Sequence, residues 1–200
     1  MQGLTRVTLG ERVPDAIAGA HVLDAAGAEL EVGTFWERGP CLLVLLRHFG
    51  CVGCAQQVRE LAPRLFELSR VGLCTVLVGS GSVEECAAFV ARHGLDGAPA
   101  SVVTDPSLGL YRALGLVRST WATLGPRSLL ETARAMAAGH PHGVGAGART
   151  QQGGVLLVDR SGVIRLLHRS RSIGGHPPAS DLVHAALRLA VEERAPAVQV

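Results

Sequence analysis

The sequence predicts an α/β domain with a mixed, largely parallel β-sheet that is flanked by helices. Hydrophobic residues make up 48% of the 200 residues, which is enough to bury a sizeable core. Apolar, strand-like runs alternate with helical patterns from residue 42 to 115, as is typical of parallel βαβ units. Two later apolar runs are separated by a short turn, which predicts an antiparallel hairpin. We expect a single domain over residues 1–200, with an insert at 116–152.

The first elements are a small hairpin and a buried core strand. Residues 22–23 and 30–32 are predicted to pair around a turn at Ala26-Gly27. Residues 42–46 are apolar without alternation, which indicates a central strand that is buried on both faces. The helical pattern that follows has apolar residues on one stripe, and Pro63 is expected to kink it because proline lacks a backbone donor.

The second βα unit carries clear helix start and stop signals. Residues 73–78 are predicted to form a strand. Ser82 and Glu85 then form a capping box, in which each side chain accepts a hydrogen bond from the other residue's backbone N–H. The helix is expected to run to His93, followed by Gly94 as a left-handed C-terminal cap.

The third unit and the C-terminal elements complete the predicted sheet. Residues 100–104 form the next strand, and Asp105-Pro106 supply an N-cap and a first-turn proline for a helix ending near Leu114. The predicted hairpin and the last helix follow at residues 154–159, 163–168 and 180–193.

The insert at residues 116–152 interrupts this alternation. It contains a predicted helix at 128–138 and the glycine-rich loop 139–147. Long connections in compact domains are usually functional or disordered, so the loop is either an active-site cover or a mobile surface segment. We expect the insert to cover the site, with Trp121 lining an apolar pocket. A core position for Trp121 is the alternative.

Charge and hydropathy exclude several classes of protein. The formal net charge is +2, and the 19 basic residues are all arginines scattered along the chain. A dedicated nucleic-acid binder would concentrate basic residues on one face or tail. No stretch approaches the roughly 18 unbroken apolar residues of a membrane span. The first 14 residues carry charges and turn residues where a signal peptide needs an apolar run, so we expect a cytoplasmic protein.

The five cysteines do not indicate a disulfide scaffold, because they are few and odd in number for a chain of this length. Cys41, Cys74 and Cys86 are predicted to be buried small hydrophobic residues that are dispensable for activity. Cys51 and Cys54 form a CxxC motif. In a reducing compartment such a motif is a redox or metal site more often than a structural bridge.

The position of the CxxC, between a central strand and a helix, favours redox chemistry. The partial positive charge of a helix N-terminus favours a thiolate on the first cysteine. We predict that Cys51 is the nucleophile and that Cys54 resolves it through a Cys51–Cys54 disulfide. His48 is either a catalytic partner of the thiolate or a packing histidine. Arg47 points to the opposite face if the strand continues, so one of the two should reach the site.

A zinc half-site is the main rival to this redox prediction. Structural zinc normally needs a second ligand pair, and no second CxxC is present. His140 and His142 are the candidates that would complete a Cys₂His₂ set. We favour the redox interpretation, which requires neither a metal nor an organic cofactor.

Several segments together resemble a known family. They are residues 10–14, 43–51 with Cys54, 105–106 with 110–115, 153–159, and 168–171 with 176–178. The chain is similar to the thioredoxin-fold superfamily and, within it, to the peroxiredoxin-like AhpC/TSA group. The active-site segment and the C-terminal segments resemble the peroxiredoxin-like 2 branch, whose members include prostamide/prostaglandin F synthase. The resemblance implies a thioredoxin-like fold and a thiol oxidoreductase. Such an enzyme reduces a peroxide or endoperoxide and is recycled by a thioredoxin-type reductant.

The chain departs from the peroxiredoxin pattern PxxxTxxC. Val44 and His48 occupy the proline and threonine positions, and Gly153 stands where the peroxidatic arginine is expected. Thioredoxins place a cis-proline opposite the CxxC, and residues 152–154 contain no proline. Other residues are candidates for substrate binding, namely Arg47, Trp121 and Arg169, with Arg149 as a further substitute for the missing arginine.

Two other functions are compatible with these residues. The first is thiol–disulfide exchange on protein or small-molecule disulfides. The second is a non-redox accessory protein in which the insert holds a small molecule and the cysteines are incidental. A homodimer is compatible with the sequence, which does not determine the oligomeric state.

Overall fold

The computed structural model describes residues 7–116, 150–170 and 175–194. Within these ranges, seven strands form one sheet in the spatial order β2-β1-β5-β4-β3-β6-β7. The strands are β1 His21–Asp24, β2 Glu29–Glu31, β3 Cys41–Leu45, β4 Cys74–Gly79, β5 Ser101–Thr104, β6 Gly154–Val158 and β7 Ile164–Arg169.

The sheet is mixed, and its parallel part lies at the centre. Strand β4 pairs in parallel with β3 on one side and with β5 on the other. Strands β6 and β7 form the predicted antiparallel hairpin, and β6 also runs antiparallel to β3. Strand β3 therefore has a neighbouring strand on each side. Its carboxyl end lies between two interior strands and not at an edge strand of the sheet.

Helices cover both faces of the sheet. Alternate residues of β3 contribute to two separate apolar clusters, with Leu42 and Val44 in one and Leu43 and Leu45 in the other. All five β3 residues are buried, which confirms the predicted central strand. The first cluster is covered by α2 Val52–Leu61, α3 Leu65–Arg70, α4 Val83–His93 and a C-terminal helix at Ala179–Arg194. The second is covered by α1 Asp15–Ala18, a 3₁₀ helix at Val32–Trp36 and α5 Gly109–Ala113.

The predicted kink and caps are present. Pro63 lies in a 3₁₀ segment, Ala62–Arg64, that separates α2 from α3. Ser82 and Glu85 exchange both capping-box hydrogen bonds, at 2.9 and 3.3 Å. Gly94 closes α4 with φ +61°, a left-handed conformation that glycine adopts without a steric penalty.

The predicted start of α5 was wrong by three residues. The helix begins at Gly109, because the chain first makes a turn in which Leu108 adopts φ +58°. The Asp105 carboxylate still satisfies the helix start, because it accepts hydrogen bonds from the backbone N–H groups of Gly109 at 3.2 Å and Leu110 at 2.9 Å. It does so across a turn and not as the adjacent N-cap residue.

Several predictions fall outside the described residues. They include the helix at 128–138, the loop 139–147, and the side chains of Trp121, His140, His142 and Arg149. The cover formed by the insert and the single domain over 1–200 therefore remain predictions. Among the described helices, none combines the length and apolar character that a bilayer crossing demands.

Candidate active site

Cys51 and Cys54 lie where the central strand gives way to a helix, as the sequence predicted. Cys51 is the N-cap residue of α2, and Cys54 lies in the first turn. The Cys51 carbonyl accepts a hydrogen bond from Ala55 N at 3.0 Å, and Cys51 N donates to the His48 carbonyl at 3.1 Å. The side chains are buried, with exposed fractions of 3% for Cys51 and 5% for Cys54. The backbone thus fixes both sulfurs at the start of α2.

The two thiols differ strongly in acidity. A hydrogen bond with Cys54 lowers the pKa of Cys51 to about 6, and the positive charge of Arg47 acts in the same direction against the opposing effect of burial. The same contact with Cys51, together with burial, raises the pKa of Cys54 well above its usual value. At neutral pH, Cys51 is therefore the thiolate and Cys54 the thiol that donates to it.

Arg47 reaches the Cys51 sulfur. Its Nη1 lies 3.7 Å from Cys51 Sγ, and its Nε donates to the Gln151 carbonyl at 3.0 Å. The Arg47 backbone N–H donates to Cys54 Sγ at 3.1 Å, while the Ser80 hydroxyl donates to the Arg47 carbonyl at 2.7 Å. This buried guanidinium is held on several sides and is positioned to balance the charge of the thiolate.

The orientation of Arg47 depends on where β3 ends. Strand alternation places Arg47 and His48 on opposite faces only if the strand continues, but β3 ends at Leu45. Arg47 lines the cavity beside the cysteines, whereas His48 is buried and is not among the described residues that line it. His48 contributes its backbone carbonyl to the turn before Cys51.

Neither of the other two predicted substrate residues is among the described residues of the cavity. Arg169 Nε donates to the Leu114 carbonyl at 2.7 Å, and Arg169 is not among the described residues that line the cavity. Trp121 lies outside the described residues. Of the predicted set, the structure brings together Cys51, Cys54 and Arg47.

The cavity beside the sulfurs also contains polar residues that the sequence analysis did not select. Gln57 reaches it from α2, and Ser170 and His176 reach it from the segments after β7. Helical spacing was the missed signal for Gln57, because a residue three positions after Cys54 lies on the same side of the helix. For Ser170 and His176 the sequence offers no local signal, since their positions depend on how the chain folds back. The described lining consists of Leu45, Arg47, Cys51, Gly53, Cys54, Gln57, Gly153, Gly154, Ser170, Gly175 and His176.

The Gln57 amide nitrogen is buried beside the thiols without a hydrogen-bond acceptor among the described residues. Its side chain is 3% exposed, and its Nε2 donates to no group within the described part of the chain. A buried donor without an acceptor costs about 1–3 kcal/mol. This amide is therefore available to a ligand oxygen in the cavity.

Backbone packing explains why position 153 holds a glycine and not the arginine of the peroxiredoxin pattern. A Cβ atom at Gly153 would lie 2.4 Å from the Leu45 carbonyl oxygen, a separation that no side chain tolerates. The β6 end of the cavity therefore lacks a side chain at this position. The cation beside Cys51 comes instead from Arg47, at the end of β3.

The acidity of Cys51 predicts a specific pH profile. Because the thiolate is the nucleophile, alkylation of Cys51 by iodoacetamide should accelerate as the pH rises through about 6 and become constant above about pH 8. Cys54→Ala removes the main stabilising hydrogen bond and should move the midpoint to higher pH. Cys86→Ala is the control, because Cys86 lies on α4 and should not affect the midpoint. An unchanged midpoint in Cys54→Ala would contradict this account.

Comparison with protein families and curated proteins gives consistent matches. Residues 60–172 match the model of the AhpC/TSA antioxidant enzyme family, a segment that begins within α2 after the CxxC. Prostamide/prostaglandin F synthase of Sus scrofa is 31% identical over 180 residues, covering 85% of this chain and 86% of that protein. Peroxiredoxin-like 2C of Homo sapiens is 27% identical over 187 residues, covering 87% and 80%. These matches confirm the resemblance predicted from the sequence.

Solved structures confirm the thioredoxin-like fold of peroxiredoxins. The bacterioferritin comigratory protein of Xanthomonas campestris superposes with a TM-score of 0.65 at 14% identity, covering 92% of this chain and 99% of that one. Peroxidoxin BcpB of Mycobacterium tuberculosis gives a TM-score of 0.66 at 13% identity, with the same coverage. With more than half of its length matched by the family model and a relative at 31% identity, this chain belongs to the AhpC/TSA antioxidant enzyme family.

Proposed function

We propose that this chain is a thiol-dependent oxidoreductase that reduces a peroxide or an endoperoxide through Cys51 and Cys54. The observation that carries the proposal is the contact between the Arg47 guanidinium and the Cys51 sulfur, at 3.7 Å, beside the buried Cys54 thiol. This arrangement combines a nucleophile, a cation and a resolving thiol in one cavity.

The proposed first step is attack of the Cys51 thiolate on one peroxide oxygen. With a hydroperoxide ROOH, the S–O bond forms as the O–O bond breaks, which gives Cys51 sulfenic acid and an alkoxide that takes a proton to become ROH. An endoperoxide would give a sulfenate ester on one oxygen and an alkoxide on the other. In both cases the sulfur loses two electrons and the O–O bond gains them.

Cys54 then resolves the oxidised sulfur. Its thiol, having lost its proton, attacks Cys51 Sγ, and water or the alcohol leaves as the Cys51–Cys54 disulfide forms. A thioredoxin-type dithiol reduces this disulfide and returns both thiols. This step requires one sulfur of the oxidised pair to become exposed, because both are buried in the reduced structure. We place this cycle in the cytoplasm, where such dithiols are kept reduced.

Arg47 is the group that we assign to charge stabilisation. As the O–O bond breaks, negative charge moves from sulfur to the leaving oxygen, and a fixed cation beside Cys51 stabilises both positions. The hydrogen bond from Arg47 Nε to the Gln151 carbonyl holds the guanidinium in place without reorganisation.

Exchange with protein disulfides is the alternative, and the burial of Cys51 argues against it. Thiol–disulfide exchange requires the attacked disulfide to reach the thiolate, and Cys51 is 3% exposed. A small peroxide needs less access than a disulfide on a protein surface. The described geometry therefore favours a small oxidant.

Thiol counting separates these functions. All five cysteines lie in the described residues and are free thiols. One equivalent of hydrogen peroxide or an alkyl hydroperoxide should remove two thiols, and thioredoxin with its reductase should restore them. Loss of thiols only with a protein disulfide would replace the proposal with disulfide exchange. No loss with any oxidant would leave the non-redox binding function.

The Gln57 amide is expected to bind the peroxide. Gln57→Leu should raise the KM for a hydroperoxide about fivefold, because it removes a donor worth roughly 1 kcal/mol to the bound oxygen. Iodoacetamide should still alkylate Cys51 at the unchanged rate. Gln56→Leu is the matched control, since the neighbouring Gln56 amide is exposed and donates to Glu60 on the same helix at 2.9 Å. Equal KM values for the two variants would rule out this role.

A further inference from the structure

A second pair of cysteines lies at the opposite end of β3. Cys41 and Cys74 are the first residues of β3 and β4, and they are direct partners in the parallel register. Side chains of such partners project from the same face of the sheet. Adjacent strands lie about 4.8 Å apart, which falls within the Cα–Cα range of roughly 4.4–6.8 Å found in disulfides. The backbone therefore brings the two Cα atoms within the range of a disulfide, and the side chains must lean toward each other for their Cβ atoms to approach to about 4 Å.

The environment of Cys74 corrects one expectation from the sequence. Cys41 is fully buried, as predicted, but Cys74 is only partly buried. Cys74 lines an open depression with Arg38, Gly39 and Gly72 at the amino-terminal ends of the strands. The two glycines pack so closely that a Cβ atom at Gly39 would lie 2.6 Å from the Gly72 carbonyl oxygen. Because neither carries a side chain, the depression beside Cys74 is open to small molecules.

The two thiols influence each other's acidity. Hydrogen bonding with Cys41 lowers the pKa of Cys74 against the opposing effect of burial. Burial, followed by the same contact, raises the pKa of Cys41 well above its usual value. Cys74 is thus the more readily ionised sulfur and also the more accessible one. Cys86 differs from both, because it is buried and donates to the Val102 carbonyl at 3.6 Å.

We propose that Cys41 and Cys74 form a second, reversible disulfide when the protein meets a low-molecular-weight disulfide. The Cys74 thiolate attacks one sulfur of RSSR, which gives a mixed disulfide on Cys74 and releases RS⁻. Cys41 then loses its proton and attacks the Cys74 sulfur, which releases the second RS⁻. The two protein thiols lose two electrons and two protons, and RSSR becomes two RSH. The length of β3 separates this pair from Cys51, so the proposal does not depend on peroxide reduction.

Glutathione disulfide is the probe for this reaction. In a Cys51→Ser/Cys54→Ser/Cys86→Ala variant, both remaining thiols should disappear without retention of glutathione, and digestion should give a peptide that links residues 41 and 74. Adding Cys41→Ala should stop the reaction at one glutathione on Cys74, because the attacking thiol is absent. A stable glutathione adduct in the presence of Cys41, or two thiols that remain open to alkylation, would overturn the proposal.

The same measurement on the wild-type protein tests the proposal even if the triple variant fails to fold. After one equivalent of hydrogen peroxide, glutathione disulfide should add a linkage between residues 41 and 74. Absence of this peptide from the wild-type digest would also overturn the proposal. Peroxide turnover should be unchanged in Cys41→Ala/Cys74→Ala, so a failure of the second disulfide is distinguishable from a failure of the proposed peroxidase activity.

Discussion

Replacement of Cys51 with serine is expected to abolish peroxide turnover. A serine hydroxyl remains protonated at neutral pH, whereas the Cys51 thiol ionises with a pKa of about 6 because Cys54 and Arg47 stabilise its charge. No other sulfur in the cavity replaces it, since the pKa of Cys54 is raised well above its usual value. Coupled oxidation of NADPH through thioredoxin reductase and thioredoxin measures the loss. Cys86→Ala should keep its turnover and serves as the matched cysteine control.

The companion variant Cys54→Ser assigns the order of events. Cys51 should still react with peroxide, but its sulfenic acid should persist because the resolving sulfur is absent. A dimedone adduct on Cys51, located by peptide mass spectrometry, is the expected result. An adduct on Cys54 in the Cys51→Ser variant, together with retained turnover, would reverse the two roles.

Removal of the Arg47 charge is expected to have the second largest effect. Arg47→Leu should lower the second-order rate constant for peroxide by about 10²–10³-fold, the usual loss when one preorganised charge-stabilising donor is removed. Part of this loss reflects a higher pKa of Cys51, because the Arg47 charge helps to lower it. When both proteins are measured at a pH above the Cys51 pKa of the variant, Cys51 is a thiolate in the variant and in the wild type alike. A residual loss there reports stabilisation of the leaving oxygen.

Two variants control for the burial and the charge of Arg47. Arg47→Lys keeps a cation but loses the fork that reaches both Cys51 and Gln151, so it should recover only part of the rate. Arg59→Leu removes an exposed charge from the last turn of α2, away from Cys51 at its start, and should leave the rate unchanged. If Arg47→Leu remains folded and reacts at the wild-type rate, Arg47 has no part in the reaction.

Much of the fold was predictable because its signals are local. The unbroken apolar run of β3, the proline before α3 and the capping box of α4 each act over a few residues. The start of α5 was not predictable in the same way. The left-handed turn at Leu108 is held by the buried Asp105 carboxylate, and both depend on packing against the completed sheet.

The site was partly predictable for the same reason. Cys51 and Cys54 are three residues apart, and their place between a strand and a helix is visible in the sequence. Gln151, Ser170 and His176 come to this site from positions about 100 or more residues further along the chain. No periodicity near the CxxC indicates them. The pairing of Cys41 with Cys74 is equally hidden, because a parallel register becomes fixed only when both strands join the sheet.

The sequence by itself determined the alternation of strands and helices, the apolar face of the central elements and the position of the CxxC at the start of α2. These properties follow from residue type and spacing, which act over a few residues. Tertiary structure decided that Arg47 reaches the Cys51 sulfur, because β3 ends at Leu45 and frees Arg47 from strand alternation. It also decided that Gly153 carries no side chain, because the β3 backbone occupies that space. Contacts between distant segments form only when the whole sheet packs, so the sequence around each residue does not reveal them.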